Sequence, residues 1–141
     1  MKIQSYKELN VWQKGIELVE QLYIFTKTFP KDEIYGLTNQ MRRASLSIPS
    51  NIAEGFMRQH TKEFIQFLFI SLGSCGELDT QMVVANKLNY IDDETYILAS
   101  EKLDHISRMI RALIISLRRR RKFINESRTT KHKPQSGDNN G

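Results

Sequence analysis

The sequence predicts an all-α fold, an antiparallel up-and-down four-helix bundle whose second helix is kinked by a proline. Three observations favour this fold class. Apolar residues recur at steps of three and four in four successive segments, no Val/Ile/Thr-rich run alternates with period two, and short polar links separate the segments. With 141 residues, of which 40% are hydrophobic, the chain is sufficient for one domain with a single core.

The first segment, residues 6–29, carries two apolar rows. One row follows alternating steps of three and four and consists of Leu9, Trp12, Ile16, Val19 and Tyr23. The second row consists of Leu18, Leu22, Phe25 and Phe29. Two rows predict a helix that is buried from two sides. Pro30 cannot continue this helix, so the helix is predicted to end before it.

The second helix is predicted to begin after Asp32 and Glu33, because acidic side chains suit the positive end of a helix. Its apolar row runs through Leu37, Met41, Ala44, Ile48 and Ile52. Gly55 is predicted to end it in the left-handed conformation.

Pro49 lies in the interior of the second predicted helix and is the most unusual residue of that helix. A proline within a helix costs about 3 kcal/mol and bends it, because one backbone donor is lost and the carbonyl of Ser45 is left without its partner. Nearby hydroxyls or the Asn51 amide are predicted to reorganise the hydrogen bonds around the bend.

The face of the second helix that points away from Ile48 and Ile52 is predicted to be polar. It carries a stripe that consists of Arg43, Ser47, Ser50 and Glu54. Two interpretations remain open at this point. The stripe is either a working surface or subunit contact, or the solvated outer face of a kinked core helix.

The third helix is predicted to be capped by Thr61. Its apolar row is unbroken and consists of Phe64, Leu68, Ser71, Cys75, Leu78, Met82 and Ala85. Small residues in its middle, including Gly73 and Gly76, lower helix propensity but let another backbone approach. They predict close helix packing at this level.

The fourth helix is predicted to be capped by Asp92 or Asp93 and to continue into the basic run at 118–122. Its row consists of Tyr96, Ala99, Leu103, Ile106, Ile110, Leu113 and Leu117. The predicted bundle domain is 1–124, and residues 125–141 are predicted to form a flexible basic and polar tail, because they lack apolar surface to bury.

Net charge is concentrated at the C-terminal end. Residues 1–117 hold 13 Lys or Arg and 14 Asp or Glu, a net charge of −1, whereas residues 118–141 hold 8 and 2, a net charge of +6. A basic end on a near-neutral body is typical of nucleic-acid contact, although a solvated end has the same composition. Arginine forks suit phosphate oxygens. The predicted nucleic-acid-binding residues are Arg118, Arg119, Arg120, Arg121 and Lys122, with Arg42, Arg43 and Arg58.

Catalytic chemistry is not predicted. The three histidines, His60, His105 and His132, have no metal-ligand spacing, and Ser47 and Ser50 lie near no evident base. We therefore expect no enzyme activity, no cofactor and no metal. The single cysteine, Cys75, is expected to be an inert buried thiol. No apolar run reaches the roughly 20 residues of a bilayer span, and the N-terminus lacks the apolar core of a signal peptide, so a cytoplasmic protein is expected.

Four stretches of the chain resemble a known family in order and spacing. They are YKELNVWQKG, FPKDEIYGLTNQMRRASLSIPSNIAEG, KEFIQFLFISLGSCGELDTQ and LNYI. The resemblance is to the 23S rRNA intervening-sequence proteins, and it covers about residues 5–117. The residues matching the family's central and third-helix blocks are Gln40, Arg42, Arg43, Ser47, Pro49, Asn51, Glu54, Gly55, Gly73, Ser74, Glu77 and Leu78.

The resemblance implies a bacterial, left-handed four-helix bundle that assembles into a homopentamer with a basic surface. A bundle related in fold, the accessory variability determinant of diversity-generating retroelements, binds nucleic acid and a reverse transcriptase. The leading prediction is therefore a non-enzymatic homo-oligomer that binds RNA or DNA, with RNA favoured. The alternative is a protein-interaction scaffold that docks a partner such as a reverse transcriptase.

Overall fold

The computed structural model describes residues 2–131 and contains four α-helices. They are α1 (Asn10–Thr26), α2 (Leu37–Met57), α3 (Thr61–Lys87) and α4 (Asp93–Lys131), with 3-10 turns at Tyr6–Glu8 and Lys31–Glu33. No strand occurs within these residues, and the predicted all-α four-helix class is confirmed. None of the helices between residues 2 and 131 combines the length and apolarity needed to cross a bilayer.

Each helix packs against two others, so the four form a closed bundle. α1 contacts α2 and α4, and α3 also contacts α2 and α4. Between α1 and α2, the Tyr6 and Phe56 ring centroids lie 6.5 Å apart, and Arg42 Nε donates to Thr26 Oγ1 at 3.0 Å. Residue numbers therefore rise along one helix as they fall along the other, as in an antiparallel pair. An up-and-down order for all four helices and a bend at Pro49 stay predictions.

The predicted rows of α2, α3 and α4 form the core. Fully or almost fully buried members include Met41, Ile48, Ile52, Leu68, Leu78, Met82, Leu103, Ile106 and Ile110. In α1 the second predicted row is buried more deeply than the first. Leu18 and Leu22 of the second row are fully buried. In the first row Leu9 is buried, and the others are half-buried: Trp12, Ile16, Val19 and Tyr23.

The orientation of α1 follows from a close approach to the proline of α2. A Cβ placed on Gly15 would lie 3.3 Å from the Pro49 Cβ, and both residues are buried. Glycine at this position lets α1 lie directly on the proline ring, a space in which a larger side chain would push the helices apart. No pattern in the sequence predicts this pairing.

Hydrogen bonds from α3 and from Asn51 surround the proline. Ser71 Oγ donates to the Ile48 carbonyl at 2.9 Å, and Asn51 Nδ2 donates to the Ser47 carbonyl at 2.8 Å. Hydroxyls and the Asn51 amide do take part, as predicted. The bonds go to the carbonyls of residues 47 and 48, next to the proline. The Asn51 bond lies within α2, and the Ser71 bond joins α3 to α2 across their buried seam.

Serine hydroxyls extend this seam as a chain of donors and acceptors. Asn51 Nδ2 donates to Ser47 Oγ at 2.8 Å, Ser47 Oγ and Ser74 Oγ lie 2.7 Å apart, and Ser74 Oγ donates to the Ile70 carbonyl at 3.3 Å. Because Ser74 donates to Ile70, Ser47 is the donor in the hydroxyl pair. Each hydroxyl of this chain of hydrogen bonds thus has a partner, which offsets its loss of hydration.

Two predicted helix ends are wrong. Gly55 lies inside α2, which ends at Met57, and the positive φ that closes the turn belongs to Gln59, at 60°. Gly55 is buried, and a Cβ there would lie 2.6 Å from the Phe67 Cβ. Because glycine has no side chain, α3 can pack closely against α2 at this position. Thr61 is the first residue of α3 and makes no cap, because His60 occupies the N-cap position without a side-chain bond.

The predicted packing role of the glycines in α3 is also wrong within this chain. A Cβ on Gly73 or Gly76 would meet no atom within 4 Å, so both positions face open space. They lie on the outer side of the helix, away from the buried row that includes Cys75 and Leu78. Sequence spacing alone does not show which neighbour a small residue faces.

The predicted acidic cap of α4 is confirmed at Asp92. Thr95 N donates to Asp92 Oδ1 at 2.7 Å, and hydrogen bonds from the Thr95 side chain and backbone lower the pKa of Asp92. At its other end α4 continues to Lys131, seven residues beyond the predicted limit at Ile124. Residues 125–131, which belong to the predicted tail, are helical. Residues 132–141 lie outside the described part of the chain, and the division into a bundle domain and a tail stays a prediction.

Replacing Gly55 with alanine tests the close packing of α2 on α3. Alanine normally raises helix stability by about 1 kcal/mol over glycine, but here its Cβ would collide with Phe67 and Phe64. We expect Gly55→Ala to lower the free energy of unfolding by about 1–3 kcal/mol in urea denaturation.

Gly76→Ala is the matched control for this substitution, because its Cβ meets open space. We expect it to raise the free energy of unfolding by up to about 1 kcal/mol. Equal effects of the two substitutions would contradict the packing assigned to Gly55.

Candidate nucleic-acid interface

Three separated parts of the chain meet at one end of the bundle. The Tyr6 ring lies against Phe56, and the Phe56 and Phe64 centroids are 5.9 Å apart, so the start of α1, the end of α2 and the start of α3 are neighbours. The Arg118 guanidinium lies 5.1 Å from the Phe69 ring centroid, which brings the end of α4 alongside the first part of α3. We call residues 2–8, 54–63 and 118–128 the basic pole.

Charge differs in sign between the two ends of the bundle. The basic pole holds ten Lys or Arg and four Asp or Glu, a net charge of +6. The opposite end, residues 27–36 and 87–94, is held together by Tyr90, whose hydroxyl donates to Glu33 Oε1 at 3.1 Å. That end holds three Lys or Arg and five Asp or Glu, a net charge of −2, and we call it the acidic pole.

The predicted cluster Arg118–Lys122 forms the most basic part of this pole. All five side chains are exposed. Arg118 stacks on Phe69 at the edge of the bundle, and Lys122 Nζ lies 4.0 Å from Glu126 Oε1. Within residues 2–131, Arg119, Arg120 and Arg121 make no ion pair. Their charges face water and are available to an anionic partner.

Arg58 is brought to the same pole by the end of α2. Its Nη2 lies 3.3 Å from Glu54 Oε1, and its guanidinium lies 5.2 Å from the Phe67 ring centroid. The ion pair is about half exposed on both sides, where such pairs contribute roughly 0–1 kcal/mol and break readily. Arg58 thus remains a usable cation at the pole.

The structure does not bring Arg42 and Arg43 to the basic pole. The Arg42 guanidinium lies 4.6 Å from the Tyr23 ring centroid, and its Nε donates to Thr26, so this side chain packs α2 onto α1. Arg43 is exposed beside a groove between α2 and α3, and Glu54 pairs with Arg58 instead of Arg43. A phosphate contact for these two arginines stays a prediction without support from their positions.

Three lysines at the basic pole were missed by the sequence analysis. Lys2 and Lys7 precede α1, and Lys62 lies in the first turn of α3; all three are exposed. In the sequence none of the three has a basic neighbour, so no local pattern marks it. Only the predicted fold indicates that these lysines lie near the basic cluster, because a four-helix bundle with alternating helix directions brings these segments to one end.

Two grooves occur elsewhere on the described surface. One, of about 460 Å³, is lined by Gln40, Arg43, Ala44, Ser47 and Glu77. The other, of about 300 Å³, lies between α1 and α4 and is lined by Lys14, Glu17, Leu98, Glu101, Lys102, His105 and Ile106. Charges of both signs line each groove, and no group of three metal-ligating side chains occurs among residues 2–131.

Cys75 is buried at 3% exposure, as the sequence predicts. Burial raises the pKa of its thiol, and this outweighs the opposing effect of a hydrogen bond with Ser107. The raised pKa keeps the group protonated at neutral pH, and a protonated thiol is a poor nucleophile.

Comparison with known proteins identifies the chain's relatives. The model of the 23S rRNA-intervening sequence protein family matches residues 7–112. A crystal structure of a protein of unknown function from the S23 ribosomal protein family of Bacteroides thetaiotaomicron VPI-5482 superimposes with a TM-score of 0.69 at 23% identity, covering 74% of this chain and 97% of that one. A search of curated proteins gives no match. The family match spans most of the sequence and includes α1, α2, α3 and the first half of α4, and the chain therefore belongs to the 23S rRNA-intervening sequence protein family.

Proposed function

We propose that this protein is a non-enzymatic nucleic-acid-binding protein that contacts RNA or DNA through its basic pole and acts as a homo-oligomer. The observation that carries the proposal is the difference in charge between the two ends, +6 at the basic pole and −2 at the acidic pole. A field of this shape orients an approaching polyanion toward one end of the bundle.

Phosphate is the chemical group that the basic pole fits best. Arg119, Arg120 and Arg121 are exposed and lack acidic partners within the described residues, and an arginine fork can bind two phosphate oxygens at once. Every phosphate contact releases condensed counterions, so affinity from such contacts falls steeply with salt. RNA is the first candidate, because the family takes its name from a ribosomal RNA gene.

The proposal includes no catalytic step. Ser47 is held between Asn51 and Ser74, and Cys75 is buried and protonated. His105 lies on the exposed side of α4 beside Glu101 and Lys102, where neighbouring charges of both signs keep it solvated. These groups are accounted for by packing and by solvation.

The outer face of α3 supports the oligomer. We define it as Gln66, Phe69, Ile70, Gly73, Glu77, Thr80 and Val84, which follow helical spacing and are all exposed. Phe69, Ile70 and Val84 are 45%, 52% and 41% exposed, and Glu77 is the one charge among the seven. Gly73 has open space around it, so a second copy of the chain can approach closely at this level.

Assembly through this face would also strengthen the basic pole. Phe69 belongs to the outer face and carries the Arg118 guanidinium, so the face reaches the edge of the pole. In a ring of identical copies, the basic poles lie on the same side and their potentials add. A homopentamer, the state implied by the resemblance, would present five such poles together.

A protein partner such as a reverse transcriptase is the second candidate function. The same outer face of α3 favours it, since an exposed apolar stripe with one charge also suits a foreign protein surface. Purification from cells with and without nuclease separates the candidates. A stoichiometric protein that persists after nuclease treatment, with only background nucleic acid, would support the scaffold and contradict the nucleic-acid proposal.

Removal of three cations at the basic pole tests the interface. We expect Arg119→Gln/Arg120→Gln/Arg121→Gln to weaken binding of RNA and duplex DNA and to reduce the steepness of the log–log salt dependence by about 2–3, because up to three phosphate contacts are lost. Fluorescence anisotropy across a salt series measures both quantities.

The control removes the same charge from the acidic pole. Lys27→Gln/Lys31→Gln/Lys87→Gln should leave the salt dependence nearly unchanged, because these exposed lysines lie at the other end. Equal losses in the two variants would show that only total charge matters, and that the pole is not the interface.

A charge placed on the outer face of α3 tests the oligomer. We expect Ile70→Asp to shift the mass measured by light scattering at micromolar concentration to that of the monomer, since a buried unpaired carboxylate is costly in an apolar contact. Ile24→Asp is the control, because Ile24 is 67% exposed on α1 outside this face. A monomeric unmodified protein would contradict the oligomer directly.

A further inference from the structure

The end of α4 extends beyond the last contacts of this helix with the core. Among the described side chains of the helix, Ile114 is the last that is buried, and Leu117 is the last apolar one that packs partly against the core. From residue 118 to residue 129 every described side chain except Ser127 is exposed. Residues 118–131 form about 21 Å of helix at 1.5 Å per residue.

Cations surround this projecting segment. Successive residues of an α-helix are separated by about 100°, so the five positions from Arg118 to Lys122 cover a complete turn. Arg119 and Arg121 consequently lie on nearly opposite sides, as do Arg120 and Lys122. No acidic residue of the described chain pairs with Arg119, Arg120 or Arg121.

This arrangement does not suit a partner that contacts one side of the helix. A flat surface or a single extended strand would reach the cations on one side of the helix only. It would leave Arg119 or Arg121 on the other side without a counter-charge among the described residues. Like charges within one turn repel each other. A partner with phosphates on two sides reaches both arginines at once.

We propose that the projecting end of α4, residues 118–128, enters a groove of a double-helical nucleic acid and places its cations against the phosphates of both strands. The inference rests on the proposed nucleic-acid binding and adds the form of the ligand. Sequence-independent contact is sufficient for it, because the cations meet backbone phosphates.

Groove dimensions define which double helices fit. An α-helix with its side chains is about 10–12 Å across, and the major groove of B-form DNA is about 12 Å wide. The deep groove of regular A-form RNA is too narrow for side chains to enter. The expected ligands are therefore B-form DNA, or RNA whose deep groove is opened by an internal loop or bulge.

Apolar residues at the same segment agree with insertion. Phe123 is 70% exposed and Ile124 is 40% exposed, directly after the five cations. Solvation alone would not require such residues at a projecting tip. Inside a groove they lie beside base edges, where apolar side chains contact groups such as the thymine methyl.

Four nucleic acids of equal length test the ligand form with the full-length protein. They are a B-form DNA duplex, a regular RNA duplex, an RNA duplex with a central internal loop, and single-stranded RNA. We expect at least tenfold tighter binding, by anisotropy at fixed salt, to the DNA duplex or to the looped RNA than to the regular RNA duplex and the single strand. Which of the two binds more tightly identifies the natural source.

The alternative outcomes separate the inference from the proposed function. Binding of single-stranded RNA or regular duplex RNA as tightly as the best double helix would overturn groove insertion and leave the proposed function standing. Absence of salt-dependent binding to all four ligands would overturn both.

Opposite sides of the helix are tested by two single substitutions. On a ligand that fits, Arg119→Gln and Arg121→Gln should each reduce the log–log salt slope by about 0.9 for duplex DNA, because each removes one phosphate contact. Lys87→Gln at the acidic pole is the control and should change nothing. If only one of the two arginine substitutions alters the slope, with helix content unchanged by circular dichroism, the partner contacts one side and groove insertion is wrong.

Discussion

Burial of one apolar row from each of four successive helices is the constraint on which the rest of this structure depends. The links between α1 and α2, α2 and α3, and α3 and α4 are short, and consecutive helices pack against each other, so each covers the apolar row of the previous one. This packing brings residues 2–8, 54–63 and 118–128 to one end of the bundle. The charge difference between the poles, and with it the proposed interface, is a consequence of how the core is buried.

The seam between α2 and α3 shows how a buried proline is accommodated. Pro49 has no N–H to donate, but Ser71 and Asn51 donate to carbonyls beside it, and Gly15 lets α1 lie against its ring. Each of these contacts depends on a small side chain at a fixed position. The helix therefore contains the proline without unpaired serine hydroxyls in the seam between α2 and α3. This geometry explains why Ser47 and Asn51 stand close to the proline in the sequence.

Much of the fold was predictable because apolar spacing reports directly on burial. The rows of α2, α3 and α4 and the Asp92 cap follow from sequence, whereas the rotation of α1 depends on Gly15 meeting Pro49, a contact between residues 34 positions apart. Gly55 and Gly73 were misassigned for a related reason. A glycine can end a helix in the left-handed conformation, make room for a neighbouring helix or lie on an exposed surface. Only the residues around it in the folded structure show which of these roles it has.

The candidate interface was predictable where its charges are contiguous. The cluster at 118–122 is visible in the sequence, but Lys7 and Lys62 join it only through folding. Arg42 was misleading, because its partners Tyr23 and Thr26 belong to another helix and hold it away from the pole.

Hydrogen–deuterium exchange of the full-length protein with and without bound nucleic acid tests the central claim most directly. If nucleic acid binds at the basic pole, we expect slower exchange confined to this pole and strongest along residues 118–128, with exchange at the acidic pole unchanged. Protection centred on residues 27–36 and 87–94, with none along the end of α4, would contradict it.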